Sequence, residues 1–164
     1  RITDIIMGLH HKKGITDSFL GSLTEGLLTK CNSTIIVYKS TQPVATNKKT
    51  IVVVPEKAEL ELGFPFWISK VWNLSKNTGS ELVFYASEKT IDYLKEIHSR
   101  FPVEASFNVF DKWEDFLILA RGLAHDDNFM VIMSRAHHLS YSRYMKKIPG
   151  YLNKYFKDNN FIIF

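Results

Sequence analysis

Residues 129–138 read Phe-Met-Val-Ile-Met-Ser-Arg-Ala-His-His, and residues 5–11 read Ile-Ile-Met-Gly-Leu-His-His. In each, an apolar run ending in Met is followed by a small residue and a polar loop with two adjacent histidines. A helical pattern comes next, then a closing strand, around Thr34–Val37 in the early copy and Phe161–Phe164 in the late one. The offset is 126 residues from Met7 to Met133 and 127 from Ile35 to Ile162. One β-loop-α-β unit recurring at a domain's spacing predicts duplication.

The remaining pattern gives the fold class. Strands are predicted at Asp4–Met7, Thr34–Tyr38, Thr50–Val54, Glu81–Ala86, Glu104–Phe110, Phe129–Met133 and Phe161–Phe164. Most are short, unbroken apolar runs rich in Val, Ile and Phe, as strands covered on both faces require. Helices are predicted between them. Leu23–Lys30 follows Ser22, with Glu25 completing a capping box. Phe66–Lys76 runs towards Gly79, and Glu88–Phe101 follows Ser87. Lys112–Ala124 follows Asp111, with Glu114 as a second capping box. A last helix within 147–157 holds Pro149 in its first turn. Strands alternating with helices predict an α/β fold: an open, mainly parallel five-stranded sheet with helices on both faces. That series spans 49–164. Residues 1–39 are expected to be the C-terminal β-α-β part of a preceding domain of the same kind. Residues 40–48, polar and containing Pro43, are expected to link the two. Arg1 is not an initiator Met, which predicts a piece of a longer protein.

Composition excludes several classes. The chain has 164 residues, 45% hydrophobic, enough for a sizeable core and against global disorder. The longest aliphatic run, Ile51 to Val54, is far short of the roughly 20 residues a bilayer span needs. A single Cys31 makes no internal disulfide and no Cys-rich metal site. Charge is uneven. Residues 49–133 carry 9 Lys+Arg against 13 Asp+Glu, whereas 134–157 carry six basic residues and no acid. Such a stretch is either a solvated helix face or a surface for an anionic partner.

Candidate chemistry is sparse. Gly8 ends a strand, and Gly21-Ser22 opens a helix 13 residues later. Glycine permits close approach of the backbone to a phosphate, and the N–H groups of a helix start favour an anion; a Gly-Ser pair is also an ordinary cap. His10-His11 and His137-His138 are adjacent loop residues without a Cys or HExxH partner, so no metal is expected. The acid pairs Glu114-Asp115 and Asp126-Asp127 fall at helix ends, where capping explains them. Tyr141, Tyr144, Tyr151 and Tyr155 interleave with basic residues. Without an RNA-binding signature they are expected to pack on the sheet rather than stack on nucleic acid. No nucleophile pattern emerges, and no enzyme activity is expected.

Residues 4–39, DIIMGLHHKKGITDSFLGSLTEGLLTKCNSTIIVYK, resemble the final third of a universal stress protein domain. That family's nucleotide signature is Gly, two residues, Gly, nine residues, Gly, then Ser or Thr. Gly8, Gly21 and Ser22 match its first, third and fourth positions; His11 stands at the second. The resemblance implies that ATP or another adenine nucleotide, if bound, sits at Gly8, His11, Gly21 and Ser22. In 49–164 the resemblance is to fold order. Ser134 replaces the first glycine, and the first strand ends in Val54-Pro55 where nucleotide-binding members usually carry an Asp, so the second copy looks degenerate.

The whole chain resembles the cytosolic C-terminal region of bacterial monovalent cation:proton antiporters, through GLHHKKGITDSFLGSLTEGLL, WEDFLILARGL and the terminal Tyr-Phe-Lys-Asp-Asn-Asn-Phe. This resemblance implies a regulatory tail of a sodium– or potassium–proton exchanger at the cytoplasmic face of the inner membrane. Its partners would be the membrane domain of the same polypeptide, a pseudo-dimer or homodimer mate, and anionic lipid through 134–157. A free-standing tandem universal stress protein that binds ATP is the alternative. A small phosphotransfer enzyme of doubly wound fold is a third reading.

Overall fold

The computed structural model describes residues 4–8, 33–156 and 158–164. The strands are β1 (Asp4–Gly8), β2 (Thr34–Lys39), β3 (Lys49–Val53), β4 (Glu81–Ala86), β5 (Ala105–Val109), β6 (Asp127–Val131) and β7 (Asn160–Ile163). The α-helices are α1 (Phe64–Thr78), α2 (Glu88–Arg100), α3 (Phe116–Ala120) and α4 (Ile148–Tyr155). The predicted helix Leu23–Lys30, the Ser22/Glu25 capping box, His10-His11 and Cys31 lie outside the described residues.

All seven strands form one sheet in the order β1-β2-β7-β6-β3-β4-β5. The α/β class and mainly parallel sheet are as the sequence predicts. The five-stranded sheet beside a separate β-α-β unit is corrected to a single sheet of seven. The five parallel strands β7-β6-β3-β4-β5 stand intact within it, and β1 and β2 extend it. β1 and β2 are parallel, pairing Ile5 with Ile35 and Met7 with Val37. β2 is antiparallel to β7, pairing Val37 with Ile163 and Lys39 with Phe161. Strand direction therefore inverts once, between β2 and β7.

Both faces are buried because the strands are apolar at consecutive positions, which alternate sides. Val52, Phe84 and Ile162 face one layer with Trp67, Val71 and Trp72 of α1 and Ile91 and Leu94 of α2. Val53, Phe129 and Phe161 face the other with Phe116 of α3 and Ile148 and Leu152 of α4. β2 contributes to both: Ile35 and Val37 join the second core, and Ile36 packs against the first. Pro149 falls in the first turn of α4, and Ser87 caps α2 by accepting from the Thr90 amide, both as predicted. α1 stops at Gly79, which holds φ +70, a conformation that disfavours a side chain.

The helix predicted over 112–124 is corrected. A 3-10 turn at Trp113–Asp115 precedes the short α3, and no side chain caps either. Asp111 lines a cleft instead of capping, and the Glu114 carboxylate lies against the Tyr144 phenol instead of closing a box. A tertiary contact thus takes Glu114.

Residues 40–48 carry the chain from β2 to β3 along the amino ends of β7 and β6, held by buried amides. Asn160 Oδ1 accepts from the Thr41 amide at 2.6 Å, the Thr41 hydroxyl at 3.0 Å and the Gln42 amide at 3.1 Å. Asn160 Nδ2 donates to Gln42 O at 2.8 Å and to Asn128 Oδ1 at 3.3 Å. Asn47 Nδ2 also donates to Asn128 Oδ1. At the opposite rim, Lys70 of α1 pairs with Asp4 of β1 at 3.1 Å, and Arg135 donates to Ser33 O at 3.0 Å.

Candidate functional site

In an open parallel sheet, connections leaving neighbouring strands towards opposite sides open a crevice at the strands' carboxyl ends. Here that point lies between β3 and β6: the chain proceeds from β3 to β4 and β5 on one side, and from β6 to β7 on the other. The backbones stay tied beyond the strands, with Val54 N–H donating to Tyr85 O and Ile132 N–H to Val53 O, each at 2.9 Å.

An open cleft of about 400 Å³ lies beside this point. Glu56 and Lys57 reach it from the loop after β3, Asp111, Trp113 and Glu114 from the segment after β5, and residues 139–144 from the connection between β6 and α4. Lys57 adopts φ 66, unusual for a side chain, at the corner where this loop turns back. The buried Trp113 stacks on Phe116, ring centroids 5.9 Å apart, which fixes the floor to the second core. Burial, then the charge and hydrogen bond of the Glu114 carboxylate, push the Tyr144 phenol pKa up, so it stays a neutral donor. The cleft thus mixes two cations, Lys57 and Arg143, with three carboxylates, and suits a polar ligand better than an apolar one.

The loop after β3 is clasped to the loop after β6 by one carboxylate. Glu61 Oε1 accepts from the Ser140 backbone amide and from the Ser140 hydroxyl, each at 2.8 Å. Its Oε2 faces His138 Nδ1 at 3.2 Å. The Ser140 hydroxyl in turn hydrogen-bonds Ser134 Oγ, and Ser140 is 4% exposed. Burial opposes the charge on Glu61. The Ser140 amide and hydroxyl, the His138 charge and the Leu139 amide outweigh it, and hold the carboxyl below its ordinary value of 4.5.

A group whose pKa is lower folded than unfolded contributes fully above the unfolded value, and that contribution is lost as pH falls through the folded value. Wild type is therefore expected to lose more thermal stability than E61Q between about pH 5 and pH 3. Parallel acid melting curves for the two proteins would contradict this.

The residues singled out in the sequence are placed as follows. Gly8 ends β1 and is exposed, at the rim where the amino ends of β6 and β7 lie, so it is remote from the cleft. His11, Gly21 and Ser22 lie outside the described residues. His137 and His138 are neighbours, ring centroids 4.7 Å apart, but His138 turns to Glu61. Among the described residues, no group of three or more His, Cys, Asp or Glu is arranged to hold a metal. Asp127 accepts from the Ala124 amide at 2.8 Å, and Asp126 pairs with Lys48 at 3.4 Å; both are structural. Tyr141, Tyr144 and Tyr151 pack against the second core, while Arg143, Lys146, Lys147 and Lys154 are exposed. Lys147 lies over the Tyr144 ring and Lys154 over the Tyr155 ring. Glu61, Ser140 and Lys57 have no signature in the sequence, since they meet only when two distant loops converge.

No protein-family model matches the chain, and no curated protein matches it significantly. Among the described residues, no helix is long and apolar enough to cross a membrane.

Proposed function

We propose that the chain is a binding and regulatory module without chemistry of its own, the cytosolic tail of a membrane cation:proton antiporter. The observation that carries the reading is the inversion of strand direction between β2 and β7. Two parallel strand pairs, β1/β2 and β6/β7, meet through their last strands in opposite senses. Two copies of one unit related by a twofold axis through the sheet would meet this way. That favours a duplicated universal-stress-protein-like pair, of which 1–39 is the closing part of the first copy and 49–164 the second. The phrases resembling antiporter tails support reading such a pair as following a membrane domain. A ligand in the cytosol acts on transport by favouring one arrangement of the tail over another. The exposed cations of α4 and the turn before it suit the anionic inner leaflet.

The coding sequence upstream of Arg1 tests this reading. Roughly a dozen apolar segments of ~20 residues are expected there. A short α/β half-domain with no such segments would instead establish the free-standing tandem stress protein, a reading favoured by the Gly8/Gly21/Ser22 spacing. Calorimetric titration with ATP then separates the two further, since only the stress-protein reading requires nucleotide at the first copy's loop.

A further inference from the structure

We propose that the Ser140 amide and hydroxyl, with His138, form an oxyanion-binding position at the strand ends, and that the Glu61 carboxylate occupies it from within, so that a ligand's carboxylate or phosphate enters by displacing Glu61. The inference is independent of the antiporter reading. Two donors converge on one oxygen of Glu61 at 2.8 Å, and an imidazole faces the other at 3.2 Å. This is the donor geometry of a charge-assisted oxyanion site. The Ser140 hydroxyl donates to the Glu61 carboxylate, which can only accept, and itself accepts from Ser134 Oγ. Ser140 is buried, so without an anion its amide would lack a partner, while its hydroxyl would keep Ser134 alone.

Two features distinguish the position from an ordinary loop clasp. It lies at the point of the sheet where chain direction parts, where ligands of such sheets sit. It also opens on the cleft: Ser140 and Leu139 line that space together with the cations Lys57 and Arg143. A ligand seated in the cleft therefore meets the Ser140 donors with its anionic group, among the cations Lys57 and Arg143 and the carboxylates Glu56, Asp111 and Glu114. Displacing Glu61 unties the loop after β3 from the loop after β6, since no other hydrogen bond joins 56–63 to 134–142 among the described residues; Thr90 still holds Glu59. Entry of the anion and loss of this tie between the two loops are one event.

The test is rescue by free anions. Wild type, E61A and E61A/S140A are melted in sodium chloride, sodium acetate and sodium phosphate at matched ionic strength near pH 6.5. E61A is expected to melt below wild type and to recover by several degrees in acetate or phosphate relative to chloride. Wild type, already occupied, should shift much less, and E61A/S140A should lose most of the recovery. Acetate against phosphate tells which oxyanion shape fits. E61Q serves as a second variant should E61A not fold, since it keeps the side-chain shape without the charge; it too should gain more from the anions than wild type. Equal shifts in all the proteins, or no anion-specific shift in either Glu61 variant, would overturn the proposal.

Discussion

Asn160→Ala is expected to destabilise the protein by about 3 kcal/mol or more, well beyond the loss of one hydrogen bond. Buried polar groups stripped of a partner cost about 1–3 kcal/mol each. This amide is fully buried and has five partner contacts, to Thr41, Gln42 and Asn128. Alanine leaves the Thr41 and Gln42 amides facing an apolar methyl. The same side chain fixes the point where the chain passes from β2 towards β3, so the loss should fall first on the two added strands. Hydrogen exchange should show β2 amides opening at lower free energy than those of β3 and β4, and urea unfolding should lose cooperativity. N160D restores the acceptor but not the donor, and adds a buried charge, so it should not recover wild-type stability. A change below about 1 kcal/mol in N160A would mean that water replaces the network without cost.

Phe129→Ala is the second large effect, expected at about 3–5 kcal/mol. Phe129 is fully buried in the middle of the sheet. Its ring stacks on Phe156 with centroids 5.0 Å apart and interplanar angle 10°, and leans on Phe116 at 5.6 Å. Phe116 in turn contacts Trp113 on the cleft floor. The cavity would therefore open beneath α3 and α4 together, and neither can collapse into it without giving up its other contacts. The midpoint of urea unfolding should fall sharply while the slope is kept, since the same surface is exposed. F129L, which refills much of the volume, should recover more than half of the loss. Equal losses in F129L and F129A would show that the stacked ring, rather than volume, carries the effect.

Much of the fold is legible in the sequence for a simple reason: strands buried on both faces must be apolar at consecutive positions, and runs such as Ile51 to Val54 have few other uses. The misses share a cause. β6 begins at Asp127 and β7 at Asn160, earlier than their apolar runs, because the polar residues at their starts are buried and hydrogen-bond one another and the crossing segment, Asn128 through its Oδ1. Hydrophobic pattern reads such residues as loop. The 112–124 segment carries a capping signal, but Glu114 meets Tyr144 from another part of the chain and Asp111 lines the cleft. The direction in which β2 joins β7 has no signature at all, since side-chain alternation is identical for parallel and antiparallel neighbours. The site was the least legible. Glu61 and Ser140 are 79 residues apart in loops without periodicity, and only the parting of the strands at β3 and β6 brings them together.

The reversal at β2 and β7 has a geometric corollary. The chain departs from Gly8 at one edge of the sheet and from Val131 at the other, separated by the height of a strand, roughly 15 Å. A small molecule lodged at one exit cannot touch the other. The two ends face away from each other, so they would sample different surroundings whenever the protein lies against a wall, with the β2/β7 seam and the two cores that β2 joins lying between them.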